Sequence, residues 1–215
     1  MRQTFLDHIT VTAPTLEAGA AYVAEHLGVS MQSGGQHPRM GTHNQLLRLG
    51  DTVFLEVIAV DPGVAPPQRP RWFDLDRQGA CSRPRLSTWV VRSENIDADS
   101  RAATEALGAI EPMQRGSLTW LITIPADGSV PGDGVAPAIL QWQTPSHPAL
   151  HLQDKQLTLA RLEIHHPEPA RIERLLDSIQ LIAPVQVLPV PEGALPGLVA
   201  HINTPHGIRV LSGLN

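Results

Sequence analysis

Three segments of this 215-residue chain share one hydrophobic phase, and that repeat restricts the fold more than any other feature. Residues 5–14, which begin Phe5-Leu6-Asp7-His8-Ile9-Thr10-Val11, are matched by residues 85–91 and again by residues 158–167. Each reads as a strand, and each is followed by a helical stretch. The echo continues downstream, where residues 41–49 find a counterpart in residues 116–124. A chain built by repeating one strand–helix–strands unit makes clefts where its units face each other, and such clefts are where ligands bind.

Proline placement divides the chain accordingly. One proline-rich stretch, residues 62–70, separates the first unit from the second, and Pro145 to Pro148 separates the second from the third. The units expected are residues 1–62, 80–145 and 155–215. An insertion at 126–137 reads as a long turn between two strands, able to fold over a site as a flap. In the first unit Leu16, Ala20, Val23 and Leu27 recur at helical spacing and Gly28 is placed to end the helix. Residues 97–107 and 168–179 take the same place in the other two units. Three short strands around 29–33, 42–49 and 52–60 complete a β-α-β-β-β pattern.

Partner classes narrow on charge and cysteine content. A net charge of −5 with no basic run argues against nucleic acid and against an anionic membrane surface. Cys81 is the single cysteine, so no intrachain disulfide can form, which fits a reducing, cytoplasmic setting. No stretch approaches the roughly 20 apolar residues that span a bilayer.

Three motifs carry a resemblance to a known family. Leu6-Asp7-His8-Ile9 opens the first unit; a glycine-rich stretch follows with Gly34, Gly35, His37, Gly41, Thr42 and Asn44; then comes Phe54-Leu55-Glu56-Val57-Ile58. Together they resemble the glyoxalase-like domain group of the vicinal oxygen chelate superfamily, most closely over residues 5–60 and next over 85–143. The resemblance implies an α+β fold: tandem β-α-β-β-β modules forming a curved mixed sheet around a cup, with helices outside and a third, partial module. It also implies metal ligands on the first and fourth strands of each unit. The matching positions here are His8 and Glu56, then Thr88 and Gln141.

Side-chain parity gives an independent reading of the cup. Strand residues alternate faces. Ile9 and Val11 fall on the helix side, so Leu6, His8 and Thr10 fall in the cup, where Glu56, Asn44, Leu46 and Arg48 join them. The second unit would contribute Leu86, Thr88, Val90, Thr119, Leu121, Thr123, Gln141 and Gln143, leaving Trp120 and Trp142 in the helix-side core. Trp72 and Phe73, just after the linker, are placed to act as a pocket lid. His165 and His166 are adjacent and therefore face opposite ways.

The chemistry expected of this cup has two forms. With His8 and Glu56 as strong ligands and His37, or else His43, as a third, it holds a divalent metal such as zinc, nickel, manganese or iron; without a third ligand the pair is a buried hydrogen-bonded one. His37 can equally cap a turn. Glu56 is the expected base for abstracting a proton next to a carbonyl, with His8 as metal ligand or second acid/base. Asn44, Arg48, Thr88 and Gln141 are the expected substrate contacts, Arg48 either holding a substrate anion or pairing with Glu56 or Asp51. Such a site suits lyase or isomerase chemistry on a small oxygenated metabolite. The alternative is a protein that sequesters a drug or metabolite without metal or catalysis. A cup filled by its own side chains would instead need bulky apolar residues on the concave face. The third unit packs beside the main pair or against its copy in a homodimer.

Overall fold

The computed structural model describes residues 2–79, 81–191 and 193–214. The first run of elements is β1 (Thr4–Thr12), α1 (Leu16–Leu27), β2 (Gln32–His37), β3 (Thr42–Arg48) and β4 (Phe54–Val60). The second is β5 (Arg85–Ser93), α2 (Ile96–Ala102), β6 (Ala109–Arg115), β7 (Leu118–Ile124), the single turn α3 (Pro131–Gly134) and β8 (Ala138–Trp142). The remainder forms β9 (Thr158–His166), α4 (Pro169–Ser178), β10 (Leu181–Ile182), β11 (Val185–Pro189), β12 (Gly197–Thr204) and β13 (Gly207–Ser212). The protein is an α+β fold in which a large curled mixed sheet forms a half-barrel, with a second, smaller sheet beside it.

Strand order makes the relation between the first two runs explicit. The large sheet reads β2-β3-β4-β1-β5-β8-β7-β6, so each half places its first strand parallel to its fourth, and the halves join where β1 and β5 run antiparallel. The two ends of the sheet approach each other. Arg39, in the turn after β2, donates to the Pro112 carbonyl of β6 (2.8 Å) and pairs with Glu111.

Helix α1 forms where the apolar spacing predicts it. Thr15 caps its start by accepting from the Ala18 N–H (3.1 Å), and Gly28 ends it in the left-handed region at φ 73°. Its apolar face joins one continuous core beneath the sheet with Ile9, Val11, Leu55, Val57, Trp89 and Ile139. That core also takes in Leu162, Ile164, Leu175, Leu198 and Ile202, so the smaller sheet, ordered β11-β9-β12-β13, and α4 pack on the outer face of the larger one. This order differs from that of the first two runs, because β9 lies between β11 and β12.

The insertion expected as a flap is core-packed instead. Val135 and Ala136 are buried, and the fully buried Trp89 donates its indole N–H to the Val135 carbonyl (2.8 Å). No helix is long and apolar enough to cross a membrane among the described residues.

Candidate functional site

In the large sheet strict alternation fails at three bulges among the described residues, and the site is built on two of them. In β1, Leu6 pairs with Val91 and His8 with Val90, so Asp7 is the extra residue. The bulge returns Leu6 to the helix-side core, correcting the expected cup position, while His8 stays on the concave face. Asp7 is fully buried and collects three donors: His8 Nδ1 (2.6 Å), Trp142 Nε1 (2.8 Å) and His147 Nε2 (3.0 Å). Because the Ala149 N–H donates to His147 Nδ1 (3.2 Å), the His147 proton sits on Nε2. Burial pushes Asp7 up, but the hydrogen bonds from His147 and His8 outweigh it and hold the carboxyl well below the usual carboxylate range. Asp7 is therefore ionised and fixes a proton on His8 Nδ1, which leaves His8 Nε2 facing Glu56 Oε2 at 3.7 Å.

The second bulge sets Glu56. Ser33 pairs with Gln45 and Gln36 with His43, so Gly34 and Gly35 together oppose Asn44. A Cβ on Gly34 would lie 2.1 Å from Asn44 Oδ1, so only glycine lets that amide tuck in. The Gly35 N–H holds Asn44 Oδ1 (2.9 Å), which turns the Asn44 amide nitrogen onto Glu56 Oε1 (2.5 Å). Thr10 Oγ1 donates to Glu56 Oε2 (3.3 Å). Phe54, beside His8 in the parallel register, stacks on its ring at 4.5 Å.

These groups open onto a small chamber of about 30 Å³, roughly the room one water needs. His8, His37, Phe54, Glu56 and Arg115 line it together with Trp72, Phe73, Trp120, Ile122, Leu140 and Trp142. His37 is the last residue of β2, and its carbonyl accepts the Met40 N–H (3.0 Å) to close the turn that follows. Its Nδ1 lies 3.1 Å from Thr42 Oγ1, and its ring meets Trp72 and Trp120 edge-on. Burial, opposed by the nearby charge of Glu56, pushes its pKa down to about 4, so it is neutral at pH 7.

Three expected contacts lie elsewhere. Arg48 pairs with Asp51 (2.5 Å), as its alternative reading has it. Gln141 points to the outer face, where its Oε1 accepts the Ile96 N–H at the start of α2 (2.9 Å). Thr88 bounds a separate crevice with Trp72 and Phe73. The third bulge, at Ser87 of β5, moves Leu86 into the helix-side core. In β7 and β8 the expected parity is inverted: Trp120, Ile122, Leu140 and Trp142 take the concave face and Leu121 and Gln141 do not. The cup thus carries the bulky apolar residues that the sequence reading assigned to the other side. Trp72 and Phe73, stacked at 5.2 Å, sit buried within it, held by left-handed backbone at Phe73 and Asp74.

Asp7, His147, Trp142 and Arg115 were outside the expected site. The signal available for Asp7 was its place beside His8 in the opening motif.

A divalent metal fits this donor set incompletely. His8 and Glu56 face each other at a separation that a shared ion can span, and Asp7 backs His8 as a carboxylate does behind a metal-bound imidazole. Among the described residues, however, no three His, Cys, Asp or Glu side chains converge, one short of a catalytic zinc set.

The chain matches the glyoxalase-like domain family over residues 6–179. No curated protein matches it. A hypothetical protein from Staphylococcus aureus shares the fold at a TM-score of 0.63 and 12% identity, over 87% of this chain and 86% of that one. A 4-hydroxymandelate synthase variant from Streptomyces coelicolor aligns at 0.49 and 14% identity, over 99% of this chain and 63% of that one. A Streptomyces coelicolor methylmalonyl-CoA epimerase variant in complex with 2-nitronate-propionyl-CoA aligns at 0.44 and 16%, over 65% and 97%. The chain belongs to the glyoxalase-like domain family.

Proposed function

We propose that this protein binds a small oxygenated metabolite in the cup and moves a proton at the carbon next to its carbonyl, as a lyase or isomerase. The observation that carries the reading is the buried Asp7–His8–Glu56 arrangement. Burying charged groups is costly unless their geometry is fixed, and here three donors fix Asp7 and two fix Glu56. Glu56 is the base: its oxygens are oriented by Asn44 and Thr10, and its open side faces the chamber. His8 is the partner. As an imidazolium it donates from Nε2 to the developing enolate oxygen, and the Asp7 carboxylate stabilises the positive ring in that role. The surrounding aromatic walls exclude water, which strengthens each of these interactions.

The test is exchange of carbon-bound hydrogen for deuterium. A panel of 2-oxo acids, 2-hydroxy acids and small aldehydes is incubated with protein in D2O and followed by proton NMR. Wild type should exchange at least one member of the panel, and Glu56→Gln should slow that exchange by about 10²–10⁴-fold. Exchange unaffected by Glu56→Gln and by His8→Ala overturns the reading.

A second reading rests on the apolar half of the chamber. Trp72, Phe73, Trp120, Ile122, Leu140 and Trp142 make an apolar wall against which the end of a small metabolite can be held without reaction. Saturable binding in the same panel with no exchange supports this sequestering role.

A further inference from the structure

Arg115 ends β6, and its side chain crosses to the opposite end of the sheet. A Cβ on Gly35 would stand 2.9 Å from its Cγ and Cδ, so the bare glycine backbone of β2 lets the arginine stem lie across it. Arg115 borders two spaces at once. One is the chamber of His8 and Glu56; the other is an open cleft of about 680 Å³, lined also by Gln36, Arg39, Gln114 and Gln143.

Other arginines nearby are engaged: Arg39 and Arg69 pair with Glu111, Arg71 with Asp76 and Arg48 with Asp51. Among the described residues, no carboxylate lies within 4.0 Å of the Arg115 guanidinium and no acceptor takes its hydrogen bonds. Burial lowers its pKa and only the more distant Glu56 charge opposes this. A second donor in the chamber wall is also unmet, since Trp72 Nε1 is buried without a partner. The Arg115 guanidinium is half-buried at the open cleft, whereas leaving the fully buried Trp72 donor unpaired is costly, and an acceptor-rich ligand can engage both.

We propose that Arg115 is an anion-binding residue that selects carboxylate-bearing carbonyl compounds, holding the carboxylate at the cleft while the carbonyl end faces Glu56 and His8. The planar guanidinium matches a carboxylate through two parallel hydrogen bonds. A phosphate dianion suits the place less well, because Glu56 would repel its second charge. This rests on the proposed function, in that it takes the chamber to be the site of a small oxygenated ligand.

The experiment compares 2-oxo acids of three to six carbons with their neutral methyl esters, reading binding from the fluorescence of the chamber tryptophans. Wild type should prefer the acid by roughly 10- to 100-fold, the range of a hydrogen bond to a charged group. Arg115→Gln should lose that preference while keeping its affinity for the ester, and Arg115→Lys should recover part of it through charge without the fork. Thermal melts establish that each variant is folded. Equal binding of acid and ester by wild type, or an undiminished preference in Arg115→Gln, overturns the assignment while leaving the chamber as a ligand site. Binding of neither by wild type overturns the underlying reading as well.

Discussion

The two halves of the large sheet share a strand order and differ in what they turn toward the cup. The first half supplies Asp7, His8, His37, Asn44 and Glu56; the second supplies Trp120, Ile122, Leu140 and Trp142, with Met113 packed behind them. One topology thus carries two tasks, polar chemistry on one wall and water exclusion on the other. They meet where Trp142 of the second half donates to Asp7 of the first and where Trp120 meets the His37 ring edge-on. Equivalent strand positions thus need not carry equivalent roles: Glu56 and Gln141 occupy matching strands, yet Gln141 accepts from the first turn of a helix on the far side.

The sharpest way to break this comparison is to mutate each half and measure stability and exchange together. Trp120 is buried and packs on Trp142 at 5.4 Å, so Trp120→Ala should lower unfolding free energy by about 3–5 kcal/mol in urea denaturation. Glu56→Gln should stay within about 1 kcal/mol of wild type, since the Gln carbonyl still accepts from Asn44 and its amide can donate to the Thr10 hydroxyl once that rotates. Exchange should follow the opposite order among folded proteins. If Glu56→Gln unfolds as readily as Trp120→Ala, the first half is structural and the division of tasks fails.

How much of this was legible in the sequence depended on where alternation holds. Helix α1 and strands β3 and β4 follow regular spacing, and Glu56 and Asn44 fell where parity put them. Bulges defeated the rest. The extra residue at Asp7 flips Leu6, and the one at Ser87 flips Leu86; neither insertion leaves a mark in composition, because a bulge is set by pairing with a distant strand. In β7 and β8 the failure has another cause. Both faces of these strands bury apolar residues, Ile139 beneath and Leu140 above, so a rule that assigns polar residues to the cup has no contrast to work with. Arg48 and Arg115 show the same limit for charge: both are arginines at strand ends, and only the fold reveals that one meets Asp51 and the other a cavity.

A smaller effect sharpens the comparison through pH. His37 belongs to the first half but is embedded among Trp72 and Trp120, and burial lowers its folded pKa to about 4 against roughly 6.5 when unfolded. Above pH 6.5 both states are neutral and the full stability is present. As pH falls toward 4 the unfolded chain takes up a proton that the folded one refuses, so about 3 kcal/mol of stability should be lost over that window. Urea midpoints measured from pH 7 to 4 should drop in wild type and flatten in His37→Gln. The depressed Asp7 contributes mainly below this window, because its unfolded carboxyl takes up a proton only as pH falls through about 4.

The smallest effect tests whether the bulge in β2 is what distinguishes the halves. The matching pair β6–β7 runs in continuous register, with no extra residue, so the glycine bulge is particular to the first half. Gly34→Ala places a Cβ 2.1 Å from Asn44 Oδ1 and 2.9 Å from its backbone oxygen, which should cost about 1–3 kcal/mol and free Asn44 from the Gly35 N–H. Asn44 would then lose its hold on Glu56. A double-mutant cycle with Asn44→Ala reads this directly: Asn44→Ala should reduce exchange in the wild-type background and add little after Gly34→Ala. Full additivity would mean that the glycines shape β2 without orienting Glu56, and that the first half owes its polar wall to the side chains alone.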